Sequence, residues 1–248
     1  MFILPFLFFV TAILYSSVGF GGGSTYLALL LIWGIPYKIF PVIALCCNII
    51  VVSGNCLNYI RAGNINIKIL IPYLFSSVPL AFIGGSIELE KNSFEILLFI
   101  VLALAGISLL LKFRSFDDSN TINRKIPKII SILIGGSIGF VSGVVGIGGG
   151  IFLSPILLLI KAGRARDIAT TASIFILINS IAGLVGQFTK GFVFIEIQNY
   201  WLLFVLVLIG GQFGNFLNIK FLPTRVMVLL TSGLVIFVAA RMGINLFI

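Results

Sequence analysis

Gly143-Val144-Val145-Gly146-Ile147-Gly148-Gly149-Gly150-Ile151-Phe152-Leu153, with Ser154-Pro155 directly behind it, has an earlier echo in Ser16-Ser17-Val18-Gly19-Phe20-Gly21-Gly22-Gly23-Ser24-Thr25. Both stretches read glycine, one apolar residue, then three glycines, and Gly19 and Gly146 stand 127 positions apart. Each lies between two runs of helix-forming apolar residues. Consecutive glycines are poor helix interior, because each costs about 1 kcal/mol relative to alanine. They also free backbone N–H groups to point at something other than the next turn. The two stretches are therefore expected to be functional breaks between helices.

Composition decides what surrounds them. The 248 residues are 60% hydrophobic and only 9% charged, with a mean hydropathy of +1.23. A soluble domain carries about 25% charged residues, so the chain belongs in a bilayer. Helix-length apolar runs recur without the ten-residue alternation of an outer-membrane barrel, which makes it an all-α polytopic membrane protein. The first run, residues 2–18, lacks a basic leader and is expected to be a retained helix rather than a signal peptide. The net charge of +9 is explained by loop lysines and arginines gathered on one membrane face, so no nucleic-acid partner is expected. Histidine is absent, and Cys46, Cys47 and Cys56 lack metal-ligand spacing and read as packed thiols. No metal and no cofactor are expected.

The apolar runs are residues 2–18, 24–33, 37–60, 67–87 and 93–111; then, past a polar stretch at 112–128, residues 129–145, 151–160, 167–189, 195–219 and 225–247. The order repeats, and so do details: Ile83-Gly84-Gly85-Ser86 is matched by Ile209-Gly210-Gly211-Gln212, and Arg61-Ala62-Gly63 by Thr189-Lys190-Gly191. Three parts follow: a first membrane repeat at 1–111, a cytoplasmic linker at 112–128 and a second membrane repeat at 129–248.

Charge counting chooses the topology. If each glycine stretch interrupts one long crossing helix, the 16 lysines and arginines divide nine to seven, which is no bias. If each stretch is instead the tip of a hairpin, twelve fall on one side, and only Lys38, Lys91, Lys190 and Arg241 on the other. The second division is what the positive-inside preference predicts. It gives each repeat a glycine-tipped helical hairpin followed by three transmembrane helices. An odd number of crossings per repeat inverts the second against the first, with both termini outside. Residues 24–33 and 151–160 span about 15 Å of helix against a hydrocarbon core of about 30 Å. They are too short to cross alone, and the sequence leaves open whether the hairpins are re-entrant or shortened full passes. Either way, two hairpins entering from opposite faces would bring their glycine tips together near the midplane.

Irregular backbone at that depth persists only where protein or a wet cavity satisfies it. Each tip leads into a helix N-terminus, which offers unpaired N–H donors and about half a positive charge. Two converging N-termini make a backbone anion site. A helix end contributes roughly 0.3–2 kcal/mol to an anion, whereas fully drying an isolated charge costs far more. The site is therefore expected to be partly wet and to favour small, well-hydrogen-bonded oxyanions. The predicted site residues are Gly21, Gly22, Gly23, Ser24, Thr25, Asn48, Gly148, Gly149, Gly150, Ile151, Thr170, Thr171 and Ser173. The competing explanation for glycines is close helix packing, and it is preferred for Gly135 and Gly139, which are four residues apart. Hydroxyls and amides within the spans also serve as interhelical glue. No Asp, Glu or His lies deep in a span, which disfavours a carboxylate proton relay or Na⁺ site. No nucleophile–base pair is present either, so an enzyme is not expected.

The glycine motif in each half, the second followed by Ile151-Phe152-Leu153-Ser154-Pro155 and then by Arg166-Asp167-Ile168-Ala169-Thr170-Thr171-Ala172-Ser173, resembles the sulfite exporter TauE/SafE family of membrane permeases. The resemblance covers nearly the whole chain. It implies a bacterial inner-membrane protein whose partner is a small sulfur-containing anion (sulfite, sulfoacetate or a related sulfonate), moved without ATP hydrolysis by the chain itself. The first half departs from the family pattern at Ala44-Leu45-Cys46-Cys47-Asn48, where many relatives have an Ala-rich Thr/Ser run. A passive anion channel and a non-transporting membrane subunit are the alternatives.

Overall fold

The computed structural model describes residues 3–17, 19–61, 67–115, 127–160, 162, 165–191 and 197–218, with shorter pieces at 232–233, 235–237, 239–240 and 242–244. Among the described residues the regular structure is helical. The helices are α1 (Ile3–Ser17), α2 (Gly23–Ile32), α3 (Phe40–Arg61), α4 (Ile67–Ser86), α5 (Lys91–Ser115), α6 (Lys128–Val145), α7 (Gly150–Leu159), α8 (Ala165–Phe188) and α9 (Trp201–Asn218). Short 3₁₀ turns, Tyr37–Ile39 and Gln198–Tyr200, lead into α3 and α9. Among the described residues, six segments are long and apolar enough to cross a membrane: Tyr37–Arg61, Ile67–Ser86, Lys91–Ser108, Lys128–Val145, Asp167–Phe188 and Gln198–Phe216.

Burial sorts these six into centre and periphery. The apolar window of α3 is 78% buried and that of α8 61%, against 28–44% for the other four. The central pair is therefore α3 and α8, which pack on each other. The outer helices turn apolar stripes outward at helical spacing, such as Ile96, Ile100, Leu104 and Ile107 on α5. A bilayer covers such a stripe, and water does not.

Both glycine stretches are hairpin turns. In the first, Phe8 of α1 stacks on Tyr26 of α2 with ring centroids 4.7 Å apart. Leu4, Phe8, Leu27 and Leu30 share one apolar cluster with Ile39, Phe40 and Phe94, so α2 returns toward the end of the molecule where α1 began. In the second, Leu153 and Leu157 of α7 cluster with Leu70, Ile168 and the half-buried Ile134 of α6. That is the opposite end, where α4, α6 and α8 start. The two hairpins thus enter from opposite ends.

Glycines set the closest helix approaches. Gly135, Gly139 and Gly143 of α6 lie against the backbone of Tyr73, Ser77 and Ala81 of α4, while Gly210 and Gly214 of α9 lie against the backbone of Phe9 and Ile13 of α1. A side chain at any of these positions would meet main chain, as expected for small-residue membrane interfaces. The packing assigned to Gly135 and Gly139 from their spacing is what they do.

Helix α5 continues to Ser115, so residues 112–115 extend a membrane helix. Cationic residues are favourable in a last helical turn, next to the exposed carbonyls, so the charge there does not end the helix. Residues 116–126, like Arg241, lie outside the described residues.

Candidate functional site

The first elbow leaves α1 through Gly19 at φ +82° and enters α2 through Gly22 at φ +89°. The second leaves α6 through Gly146 at φ +92° and enters α7 through Gly148 and Gly149 at φ +82° and +77°. Left-handed backbone is open to glycine and costs other residues about 1–2 kcal/mol. Gly19 and Gly22 are matched by Gly146 and Gly149 at the same 127-residue offset, and α2 and α7 begin at the next pair, Gly23 and Gly150.

The elbows touch. Asn48 of α3 donates from Nδ2 to the Ile147 carbonyl of the second elbow at 3.0 Å. The same carboxamide lies against Gly21 and Gly23 of the first elbow and against Gly148 of the second. From α8, Ser173 donates from Oγ to the Gly19 carbonyl at 2.5 Å. Each elbow is therefore held by a central helix from the other half of the chain. Asn48 lies about 12 Å along α3, and Ile176 and Ser180, which face Gly148, lie about 17–23 Å along α8. The meeting point is thus near the middle of both central helices.

Polar groups gather there without partners. Among the described residues, the backbone N–H groups of 21–24 and 147–151 have no hydrogen-bond acceptor. The side-chain atoms Asn48 Oδ1 and Ser180 Oγ are buried and unpartnered as well. A buried donor or acceptor left unsatisfied costs about 1–3 kcal/mol. Such a concentration at one spot marks a place that something else completes.

The elbows are sealed. Residues 19–30 and 142–151 are all buried. A Cβ built on Gly148 would come within 2.8 Å of Asn48 Nδ2 and 2.9 Å of both Ile176 and Ser180 Oγ. There is no space for a methyl group, and so none for an oxyanion unless the elbows part. The partly wet site expected from the sequence is closed in this arrangement, since Asn48 and Ile176 fill the space between the elbows.

The predicted residues separate into three groups. Gly21, Gly22, Gly23, Asn48, Gly148, Gly149, Gly150 and Ser173 come together at the elbows. Ser24 and Thr25 are next to them, but their hydroxyls face Tyr15, whose OH lies 2.8 Å from Thr25 Oγ1 and 3.4 Å from Ser24 Oγ. Ile151 is packed into the main apolar cluster and presents only its backbone N–H. Thr171 turns its hydroxyl to the Asp167 carbonyl of its own helix at 2.8 Å, and Thr170 is buried beside it.

Reading by residue type missed Tyr15, whose OH lies by Ser24 and Thr25, and Tyr59, whose OH lies against Gly19. An isolated tyrosine in an apolar run gives no spacing signal. Only the fold brings the Ser180 hydroxyl to Gly148. The three cysteines are free thiols, two buried and one half-buried, consistent with packing. Among the described residues no cluster of metal-ligating side chains is present.

The six membrane-length helices and the two glycine elbows abutting at their centre define a polytopic helical membrane protein, and sequence comparison specifies the family. The family described as "Sulfite exporter TauE/SafE" matches residues 4–242, and the chain belongs to it. Among its relatives, the probable membrane transporter protein y4hK of Sinorhizobium fredii is 30% identical over 221 residues, 88% of each chain. The probable membrane transporter protein YunE of Bacillus subtilis is 24% identical over 257 residues, covering 92% of this chain and 91% of its own. A probable membrane transporter protein of Methanocaldococcus jannaschii is 25% identical over 239 residues, with 90% and 88% covered. No solved structure matches. The protein is a multi-pass membrane transporter of the TauE/SafE family.

Proposed function

We propose that the chain is a secondary permease that carries small sulfur-containing anions, such as sulfite, sulfoacetate or other organosulfonates, by alternating access. The single observation that carries this reading is the cluster of unpartnered backbone N–H groups where the two elbows abut. N–H donors at two opposed helix starts favour an anion, and three sulfonate or sulfite oxygens can accept several of them at once. The sealed state of the elbows supports a carrier over a permanently open channel.

The alternating-access part rests on an inverted repeat, residues 1–111 against 129–248 about the linker. What supports it is that helix contacts survive exchange of the halves. The α4–α6 contact has its counterpart in α9–α1, α4–α8 in α9–α3, and α2–α3 in α7–α8, while α3–α8 exchanges with itself. Opposed hairpins in such a frame can open first to one side and then to the other. The charge bias puts both termini outside, in the inner membrane of a bacterium.

The test is flux of radiolabelled sulfite and methanesulfonate in proteoliposomes carrying the full chain. Gly22→Leu and Gly148→Leu are expected to abolish flux in protein that still elutes as a monodisperse detergent complex. Unimpaired flux in both variants would overturn the site.

A further inference from the structure

Away from the elbows, the chain forms a cleft at the end of the bundle where α3 and α5 begin and α4 and α8 finish. It is a shallow, half-open cleft, whose some 320 Å³ of space includes open solvent at its mouth. Two lysines and one carboxylate line it: Lys38, Lys190 and Glu88. Lys38 Nζ lies 2.9 Å from Glu88 Oε1. Lys38 is the main cause that holds the Glu88 carboxyl below its usual value, with a weaker pull from Lys190. Glu88 is thus an anion seated among cations.

Lys190 is different. Among the described residues it has no carboxylate within ion-pair distance, and its Nζ donates to Gln187 Oε1 at 2.9 Å. It is half-buried, and that burial lowers its pKa despite the opposing influence of Glu88. Gln187, only 1% exposed, forms the floor and donates from Nε2 to the Gly143 carbonyl at 3.0 Å. Gly143 is three residues before Gly146, and Gly146 lies against the backbone of Pro41, another residue of the cleft wall. The floor of the cleft therefore reaches the second elbow. The N-terminal ends of α3 and α5 border the same space through Pro41 and Phe94, and the C-terminal ends of α4 and α8 border it through Ile87 and Gln187, so the helix-end charges offset one another and the lysines set the local potential.

We propose that this cleft is a second anion site, a vestibule where a small oxyanion is held by Lys38 and Lys190 in place of the Glu88 carboxylate before it reaches the elbows. The proposal rests on the transporter reading for its purpose, but not for its chemistry. Two lysines face one internal carboxylate, which leaves a net attraction for an anion, and a partly enclosed cleft focuses it. An exposed lysine–carboxylate pair contributes little to stability, so exchanging its carboxylate for a solute oxyanion costs the fold little.

The experiment is a lysine footprint on the purified full chain. Acetylation by an N-hydroxysuccinimide ester is followed at each lysine by mass spectrometry, with sodium methanesulfonate replacing sodium chloride at constant ionic strength. Lys190 and Lys38 are expected to be protected about fivefold or more at saturating methanesulfonate. Lys91, on the same end and 3.8 Å from Glu95, is the control and should not change. Glu88→Gln removes the internal competitor, and half-protection should then need roughly tenfold less methanesulfonate. Equal slowing at all three lysines, no protection at all, or a Glu88→Gln protein with unchanged half-protection would each overturn the vestibule. Protection without methanesulfonate flux in proteoliposomes would uphold the vestibule and sink the transporter reading. Flux without protection would do the reverse.

Discussion

At the scale of single residues, the proposed site is built from Asn48 and the left-handed glycines. The Asn48 side chain is fully buried, spends its N–H on Ile147 and leaves its oxygen unpartnered beside Gly21 and Gly23. Removing it in Asn48→Ala strands the Ile147 carbonyl, which costs about 1–3 kcal/mol, while freeing space between the elbows. The expected outcome is a lower melting temperature in detergent together with altered, not abolished, anion flux. A melting temperature equal to that of the wild type would show that Asn48 does not tie the elbows together. Among the glycines, Gly34 is a useful contrast, because it also has positive φ, at +66°, but nothing lies within 4 Å of a Cβ built there. Gly34→Ala should cost only the backbone strain of about 1–2 kcal/mol and keep full flux. Gly148→Ala adds a methyl group where three neighbours already crowd and should stop flux. Equal flux in the two variants would remove the distinction between turn and site.

At the scale of elements, the α4–α6 contact is made by glycines meeting backbone. Gly139 stands against Ser77 and Gly143 against Ala81, so neither neighbour can rotate aside as a side chain would. Gly139→Leu should push the helices apart and cost on the order of 1–3 kcal/mol or more, as overpacking does. The check is the melting temperature of the purified variant, set against a Gly233→Leu control, where nothing lies within 4 Å of a built Cβ and the backbone is not left-handed. If both melt alike, close approach at Gly139 is not what holds α4 to α6. The short arms α2 and α7 follow from the same physics. Ten residues reach about half-way through the hydrocarbon, and their glycine starts are buried in protein rather than lipid, which is the condition irregular backbone needs.

At the scale of the whole molecule, the charge count becomes a matter of ends. Lys38 and Lys190 line one cleft with Glu88, and Lys91 starts α5 just beyond it. Lys68 and Lys128 lie at the opposite end, since α4 and α6 run in parallel from there. Asn92→Cys and Lys68→Cys are both exposed positions. In intact cells an impermeant maleimide should label the first at once and the second only after permeabilisation, with wild-type protein reporting the background from Cys46, Cys47 and Cys56. The reverse pattern would turn the molecule over and put the vestibule on the cytoplasmic side.

Much of this architecture was legible in the sequence, because in a bilayer composition is close to geometry. Lipid tolerates only apolar side chains and internally bonded backbone, so apolar runs give the helices and a broken run flags a break in the backbone. The glycine triplets, their short following helices and the twelve-to-four division of cations were enough to read hairpins rather than long broken helices. Depth and partnership were not legible, since they depend on which helix faces which. Thr171 and Ser173 are two positions apart in one motif, yet the first bonds its own helix, while the second lies by the Ala169 carbonyl of its own helix and also reaches Gly19 across 154 residues. A separation of two turns side chains about 200° around a helix, and only the neighbours decide which direction leads to the site. The closure of the elbows, the orphaned Asn48 and Ser180 atoms and the Lys190–Gln187–Gly143 chain belong to the same category. They are distances between residues far apart in sequence, and packing sets them.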